Sequence, residues 1–183
     1  ANTVLSFGIH HLWKNKMVAM TPLKTGDAVL DCATGTGDLA LLYKKKVGDS
    51  GQVIGTDFCQ EMLDFAPAKA QAAGLEVPLQ WADVTNLPFK DNHFNACSIS
   101  FGIRNVDDRI KAYSEMARVT KSGGHMMILE FGQIDIPVIK QGYNFYSQKV
   151  LPRIGGLISG KMSAYQYLND SSQVFPCGKD FEA

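Results

Sequence analysis

Val29-Leu30-Asp31-Cys32-Ala33-Thr34-Gly35-Thr36-Gly37-Asp38-Leu39-Ala40 reads as a buried strand, a glycine turn and the start of a helix. Two carboxylates, Asp31 and Asp38, flank the turn. Gly35-Thr36-Gly37-Asp38-Leu39-Ala40 fits the G-x-G-x-x-G/A pattern of dinucleotide-binding loops, and Asp57 follows about 20 residues later, as that pattern expects. The charges favour a different ligand. A pyrophosphate seeks bare backbone N–H groups at a helix N-terminus, and Asp38 directly after Gly37 repels it. S-adenosylmethionine has no phosphate and carries a sulfonium and an ammonium, which nearby carboxylates stabilise. Asp31, Gly35, Thr36 and Gly37 are therefore read as the wall of a site for that methyl donor. Asp38 also fits a plainer role, as an acid in the first turn of a helix.

The chain has 183 residues, which is one domain's worth. Apolar residues make up 45% and charged residues 20%, enough to bury a core. Lys+Arg and Asp+Glu balance at 18 each, so no basic excess points to nucleic acid. No apolar run approaches the roughly 20 residues that span a bilayer. Cys32, Cys59, Cys97 and Cys177 form no CxxC pair and read as reduced cysteines. His10, His11, His93 and His125 show no ligand spacing, so no metal is expected, and His93 and His125 are expected in or beside turns.

Around the glycine turn, strands alternate with helices. Strands are expected at Ala28–Cys32, Val53–Thr56, Pro78–Ala82, Phe94–Ser100 and Met126–Phe131. Helices are expected at Asp38–Lys46, at Gln60–Ala73 with a kink at Pro67, and at Asp107–Thr120, stopped by Lys121-Ser122-Gly123-Gly124. This alternation implies an α/β fold with a mostly parallel, twisted sheet and helices on both faces. Beyond Phe131 it fails, and residues 139–150 read as a helix packed over the ligand end of the sheet. The chain is expected to form one domain, with residues 1–24 as a helical segment, 25–131 as the cofactor-binding core and 132–183 as a substrate-side helical segment.

In such sheets ligands bind at the carboxyl ends of the strands. After the second strand, Asp57 can accept both ribose hydroxyls and Phe58 can lie against adenine; Asp57 also fits as a helix N-cap. After the third, Asp83 can accept the adenine amino group while Val84 offers a backbone N–H, and Leu87-Pro88-Phe89 forms an apolar wall. The fourth ends in Ser98-Ile99-Ser100-Phe101-Gly102-Ile103-Arg104-Asn105. An arginine beside a cationic ligand is costly unless an anion accompanies it. A deprotonated substrate oxygen is the expected anion, and a surface arginine capping the next helix is the alternative.

Several strings now resemble the ubiquinone/menaquinone biosynthesis C-methyltransferases: Leu5-Ser6-Phe7-Gly8-Ile9-His10-His11-Leu12-Trp13-Lys14, the glycine loop, Ser98–Asn105, Ile128-Leu129-Glu130-Phe131 and Val150-Leu151-Pro152-Arg153-Ile154-Gly155. They run in order along nearly the whole chain. The resemblance implies the seven-stranded, Rossmann-like class I methyltransferase sheet, cofactor contacts at Thr36, Asp57, Asp83, Val84 and Ser100, and methylation of a ring carbon of a polyprenylated quinol. The family carries a Tyr-Asp pair before the Ser-Phe-Gly string, and it continues past the region matching Ser171–Ala183 with a helix and the last strands. The chain is accordingly expected to be short at both ends, with the C-terminal strands missing.

A quinol carbon becomes nucleophilic when a neighbouring phenol, with a pKa of roughly 10, loses its proton. Arg104 stays protonated. It is expected to stabilise the phenolate or, with Asn105, to orient a water that takes the proton; His10 and His11 are alternative bases. The expected partners are the quinol, a transient membrane-surface contact and a second copy in a homodimer, with no nucleic acid. Tyr143-Asn144-Phe145-Tyr146, Ile139 and Val150 could line a groove for the quinol tail. The expected location is cytoplasmic, peripheral to the inner membrane. A methyltransferase for another small molecule and an NAD-dependent oxidoreductase are the competing readings.

Overall fold

The computed structural model describes residues 9–131. The chain divides into two compact units, Trp13–Glu130 and a second made of Ala1–Leu12 with Phe131–Ala183. The first lies wholly within the described residues. Residues 139–150, the aromatics among them, the Val150–Gly155 string and Ser6–Gly8 lie outside them.

The element order is α1 (Ile9–Met20), β1 (Ala28–Cys32), α2 (Asp38–Val47), β2 (Gln52–Asp57), α3 (Gln60–Ala72), β3 (Leu79–Trp81), β4 (Phe94–Ser100), a 3-10 turn (Ile103–Asn105), α4 (Arg109–Val119) and β5 (Thr120–Leu129). The five strands form one sheet in the order β3-β2-β1-β4-β5, and every pairing is parallel. β1 is the central strand, with Val29 paired to Val53 on one side and to Ala96 on the other. The order reverses between β1 and β4, so the ligand crevice of an open α/β sheet falls at the carboxyl ends of those two strands.

The core explains the strand assignments. Val29, Leu30 and Cys32 of β1 are fully buried, as are Phe94, Ala96, Cys97 and Ile99 of β4. Both strands are covered on both faces, and the polar residues they bury, Asp31 and Ser98, are hydrogen-bonded to each other. Met17 and Val18 of α1 and Leu39, Ala40, Tyr43 and Val47 of α2 pack in one cluster with Val29, Val53 and Ala96. Each large aliphatic side chain buried there contributes about 1.5–3 kcal/mol. The Cys32 and Cys97 sulfurs lie 3.8 Å apart, both buried and unbridged.

Local chemistry sets the helix ends. α2 carries Asp38 in its first turn and Lys44, Lys45 and Lys46 in its last, which suits the helix dipole at both ends. Pro67 lies inside α3. That helix closes with Leu75 N–H on Ala70 O and Gly74 N–H on Gln71 O, a C-terminal wrap that uses Gly74 at φ 65°. Asp108 caps α4 by accepting from the Lys111 N–H at 2.9 Å.

One boundary differs from expectation. Lys121–Gly124 does not separate α4 from the last strand: β5 begins at Thr120, paired with Phe94, directly after Val119. A register shift between Phe94 and Ala96 absorbs the extra residues, with Gly123 at φ 76°. His125 is therefore a strand residue, paired with Ala96, and not part of a turn.

Candidate cofactor site at the β1–β4 crevice

The glycine loop is held from below and from the side. Asp31, the fourth residue of β1, has no exposed surface. Its two oxygens accept hydrogen bonds from Thr34 Oγ1 at 2.7 Å and Ser98 Oγ at 2.8 Å. Burial pushes its carboxyl up to about 6, against the hydroxyl bonds and the nearby Lys14 ammonium. Asp31 thus acts on the crevice through Thr34 and through its field, from beneath the loop. Thr34 N–H bonds Thr56 O at 2.9 Å, and Gly37 N–H returns to Thr34 O at 3.0 Å. The tight reversal puts Gly35 at φ 60° and Gly37 at φ 80°, which side chains resist.

Asp57, the last residue of β2, reaches into the loop. Its Oδ2 accepts the Gly35 N–H at 2.7 Å, and its Oδ1 accepts the Cys59 N–H at 2.9 Å. The second bond is the helix-start geometry expected of an N-terminal acid; the first ties the loop to β2. Each oxygen keeps a lone pair for a diol. Phe58 is 66% exposed, and its ring lies 5.3 Å from that of Trp81. Trp81 Nε1 donates to Phe58 O at 2.7 Å, so the two rings form one apolar shelf beside Asp57. Asp83 Oδ1 accepts from both the N–H and the hydroxyl of Thr85, each at 2.8 Å. This folds the Asp83-Val84 turn back on itself. Leu87 is buried, and Phe89 meets Phe94 edge-on at 5.1 Å.

Asp38 is not the bare charge the sequence suggested. Lys14 donates to its Oδ2 at 3.4 Å, and Lys69 pairs with its Oδ1. Burial works against its ionisation, but the two ammoniums outweigh it and hold the carboxyl below its usual range. Its charge therefore does little to repel a phosphate. In dinucleotide loops the second glycine approaches the pyrophosphate; here that residue is Gly37, whose N–H is held by Thr34 O, while the Gly35 N–H is donated to the Asp57 carboxylate.

At the end of β4, Ser100 pairs with Leu129 and Phe101 turns back at φ 57°. Ala33, after β1, also has a positive φ, 49°. The two strained residues follow neighbouring strands, and strain of this kind gathers at functional sites. Gly102 lets them approach: a Cβ there would lie 2.4 Å from that of Ala33. Trp13 packs by Phe101, with ring centroids 6.3 Å apart. Asn105 closes the 3-10 turn, its N–H on Gly102 O at 3.0 Å. Arg104 is neither a surface residue nor unaccompanied. Its Nη1 bonds Phe101 O at 2.9 Å and pairs with Glu130, with both side chains almost fully buried. The anion expected beside this arginine is supplied by the chain itself.

The structure thus gathers Asp31, Gly35, Thr36, Gly37, Asp57 and Phe58 around the end of β1 and β2, Asp83 and Val84 at the end of β3, and Ser100, Arg104 and Asn105 at the end of β4. Thr34, Ser98, Lys14, Gly102 and Glu130 complete it without having been singled out. Glu130 stood inside a recognised string, but its partner is 26 residues away.

Residues 1–183 match the ubiE/COQ5 methyltransferase family along their whole length. The chain belongs to that family. A "Ubiquinone/menaquinone biosynthesis C-methyltransferase UbiE" of Bdellovibrio bacteriovorus is 59% identical over 98% of this chain and 76% of its own length. Among solved structures, a SAM dependent methyltransferase from Aquifex aeolicus is 27% identical over 67% of this chain and 65% of its own, with a TM-score of 0.61. The [4+2]-cyclase SpnF is 26% identical over 69% of this chain and 47% of its own, with a TM-score of 0.63. The sheet is therefore the class I methyltransferase sheet and the protein is a methyltransferase. The cyclase shows that the same scaffold carries other chemistry, so the substrate must be argued from the site. No helix among the described residues of this ubiE/COQ5 family member is long and apolar enough to cross a membrane.

Proposed function

We propose that the protein binds S-adenosylmethionine in the β1–β4 crevice and methylates a ring carbon of a polyprenylated quinol, as in demethylmenaquinol to menaquinol. The observation that carries the cofactor reading is the match to the ubiE/COQ5 methyltransferase family, supported by the Asp57 carboxylate held beside the glycine loop on the Gly35 amide. The quinol reading rests on the 59% identical relative named above.

In this reading Asp57 accepts the ribose hydroxyls, and Phe58 with Trp81 carries the adenine face. Asp83 and Val84 meet the adenine edge. Gly35, Thr36, Gly37 and Ser100 surround the amino-acid part, with Asp31 as the charge beneath. When bound, the cofactor supplies an electrophilic methyl group on a sulfonium. The chain's own task is to hold the quinol carbon about 3 Å from that methyl, in line with the departing sulfur, and to favour the phenolate that makes the carbon nucleophilic. Arg104 and Asn105, at the end of β4, supply polar groups for that step: with its charge balanced by Glu130, Arg104 acts with Asn105 by orienting a water that takes the phenol proton. A long apolar tail draws such a substrate, and the enzyme with it, to a membrane surface. Flotation with quinol-loaded liposomes is expected, and failure to float would remove that element.

The decisive assay follows labelled methyl from S-adenosylmethionine into a demethylmenaquinol. A product heavier by one methyl is expected. Cofactor binding without transfer to any quinol would leave the site and remove the substrate.

A further inference from the structure

Arg104 fixes a positive charge in the turn that follows β4, at the carboxyl end of the strand that borders the cofactor crevice. Its guanidinium is bonded to the carbonyl of Phe101, and the next residue, Gly102, lies against Ala33 at the end of β1. The charge therefore sits on the β4 side of the switch point. Glu130, one residue past the end of β5, meets it there. Its Oε1 pairs with Arg104 Nη1, and its Oε2 lies 3.4 Å from the Arg104 backbone N–H. Exposure is 6% for the arginine side chain and 4% for the glutamate. Water screens such a pair little, so the glutamate charge is felt in full. Without it, the uncompensated guanidinium would repel a cation bound in the crevice by a coulombic term that falls with distance.

We propose that Glu130 is a positioning and charge-compensating residue: it holds Arg104 on the Phe101 carbonyl and cancels its charge, so that the crevice accepts a sulfonium. The proposal rests on the reading of the site as a methyl-donor site. It has a specific consequence. S-adenosylmethionine carries the sulfonium charge, whereas S-adenosylhomocysteine is a neutral thioether of nearly the same shape. Glu130 then sets the ratio of their affinities, and with it the balance between donor loading and by-product release.

The test is titration calorimetry of both ligands on the full chain and on Glu130→Gln, Arg104→Met and the double variant. Glu130→Gln is expected to weaken the methyl donor about tenfold or more and to leave the thioether within about threefold. Arg104→Met is expected to shift the ratio the opposite way, and the double variant to return it near the starting value. A residue with a merely structural role would weaken both ligands alike. An unchanged ratio in Glu130→Gln overturns the proposal. Should that variant not fold, Arg104→Met decides on the same ratio, and no shift there overturns it equally. If the unmodified chain binds neither ligand, the methyl-donor reading itself fails and takes this inference with it.

Discussion

Asp31 is a carboxylate that folding leaves reluctant to ionise. Its carboxyl is raised from 3.8 to about 6 by burial, which corresponds to about 3 kcal/mol of ionisation free energy. A raised carboxyl favours the folded state below the unfolded value, and that contribution is lost as pH rises through about 6. Asp31→Asn does not titrate. Relative to the unmodified protein it is expected to gain about 2 kcal/mol in urea unfolding between about pH 4 and pH 7; an equal difference at both pH values would mean Asp31 is ordinary. Asp57→Ala removes the acceptor of the Gly35 and Cys59 amides. It is expected to weaken the methyl donor by about 2 kcal/mol, roughly thirtyfold, by calorimetry. Gly102→Ala must push Ala33 aside and is expected to destabilise the fold by about 1–3 kcal/mol in thermal unfolding. Asp57 was legible in the sequence because its spacing from the glycines is a chain-local fact. The neighbours of Asp31 and Asp38 were not. Ser98 stands 67 residues from Asp31, and Lys69 stands 31 from Asp38; only the folded sheet brings them together.

The central elements follow from local pattern. β1 and β4 fall where their short, mostly apolar segments place them, and their buried polar members Asp31 and Ser98 satisfy each other. β5 shows where pattern fails. Lys121-Ser122-Gly123-Gly124 has the composition of a turn, but pairing with β4 draws Thr120 into the sheet and a bulge accommodates the glycines. The β2–β3 end carries a pair of exposed rings, proposed above as the adenine face, which come from separate elements joined by the Trp81–Phe58 bond. Phe58→Ala and Trp81→Ala are each expected to weaken adenosine-containing ligands by about 1 kcal/mol in calorimetry, with little effect on stability because both rings are exposed. A loss confined to unfolding temperature would assign the shelf to packing instead.

At the scale of the whole molecule, the parallel order β3-β2-β1-β4-β5 places the switch point between β1 and β4. The strained Ala33 and Phe101 and the buried Asp31 belong to these two strands and the turns after them, and the buried Arg104–Glu130 pair follows β4 and β5. The sheet is shared with a methyltransferase and with a cyclase, so membership of the ubiE/COQ5 family, and not the fold, directs attention to methyl transfer. The glycine loop itself is compatible in sequence with a dinucleotide. What favours S-adenosylmethionine is membership of the ubiE/COQ5 methyltransferase family, with the Asp57 carboxylate held beside the loop on the Gly35 amide. Titration calorimetry of the full chain with S-adenosylmethionine and with NAD tests this most directly. Saturable binding of S-adenosylmethionine at micromolar concentration, with no heat from NAD at a hundredfold excess, is the expected result. Tight binding of NAD with none of S-adenosylmethionine would contradict it.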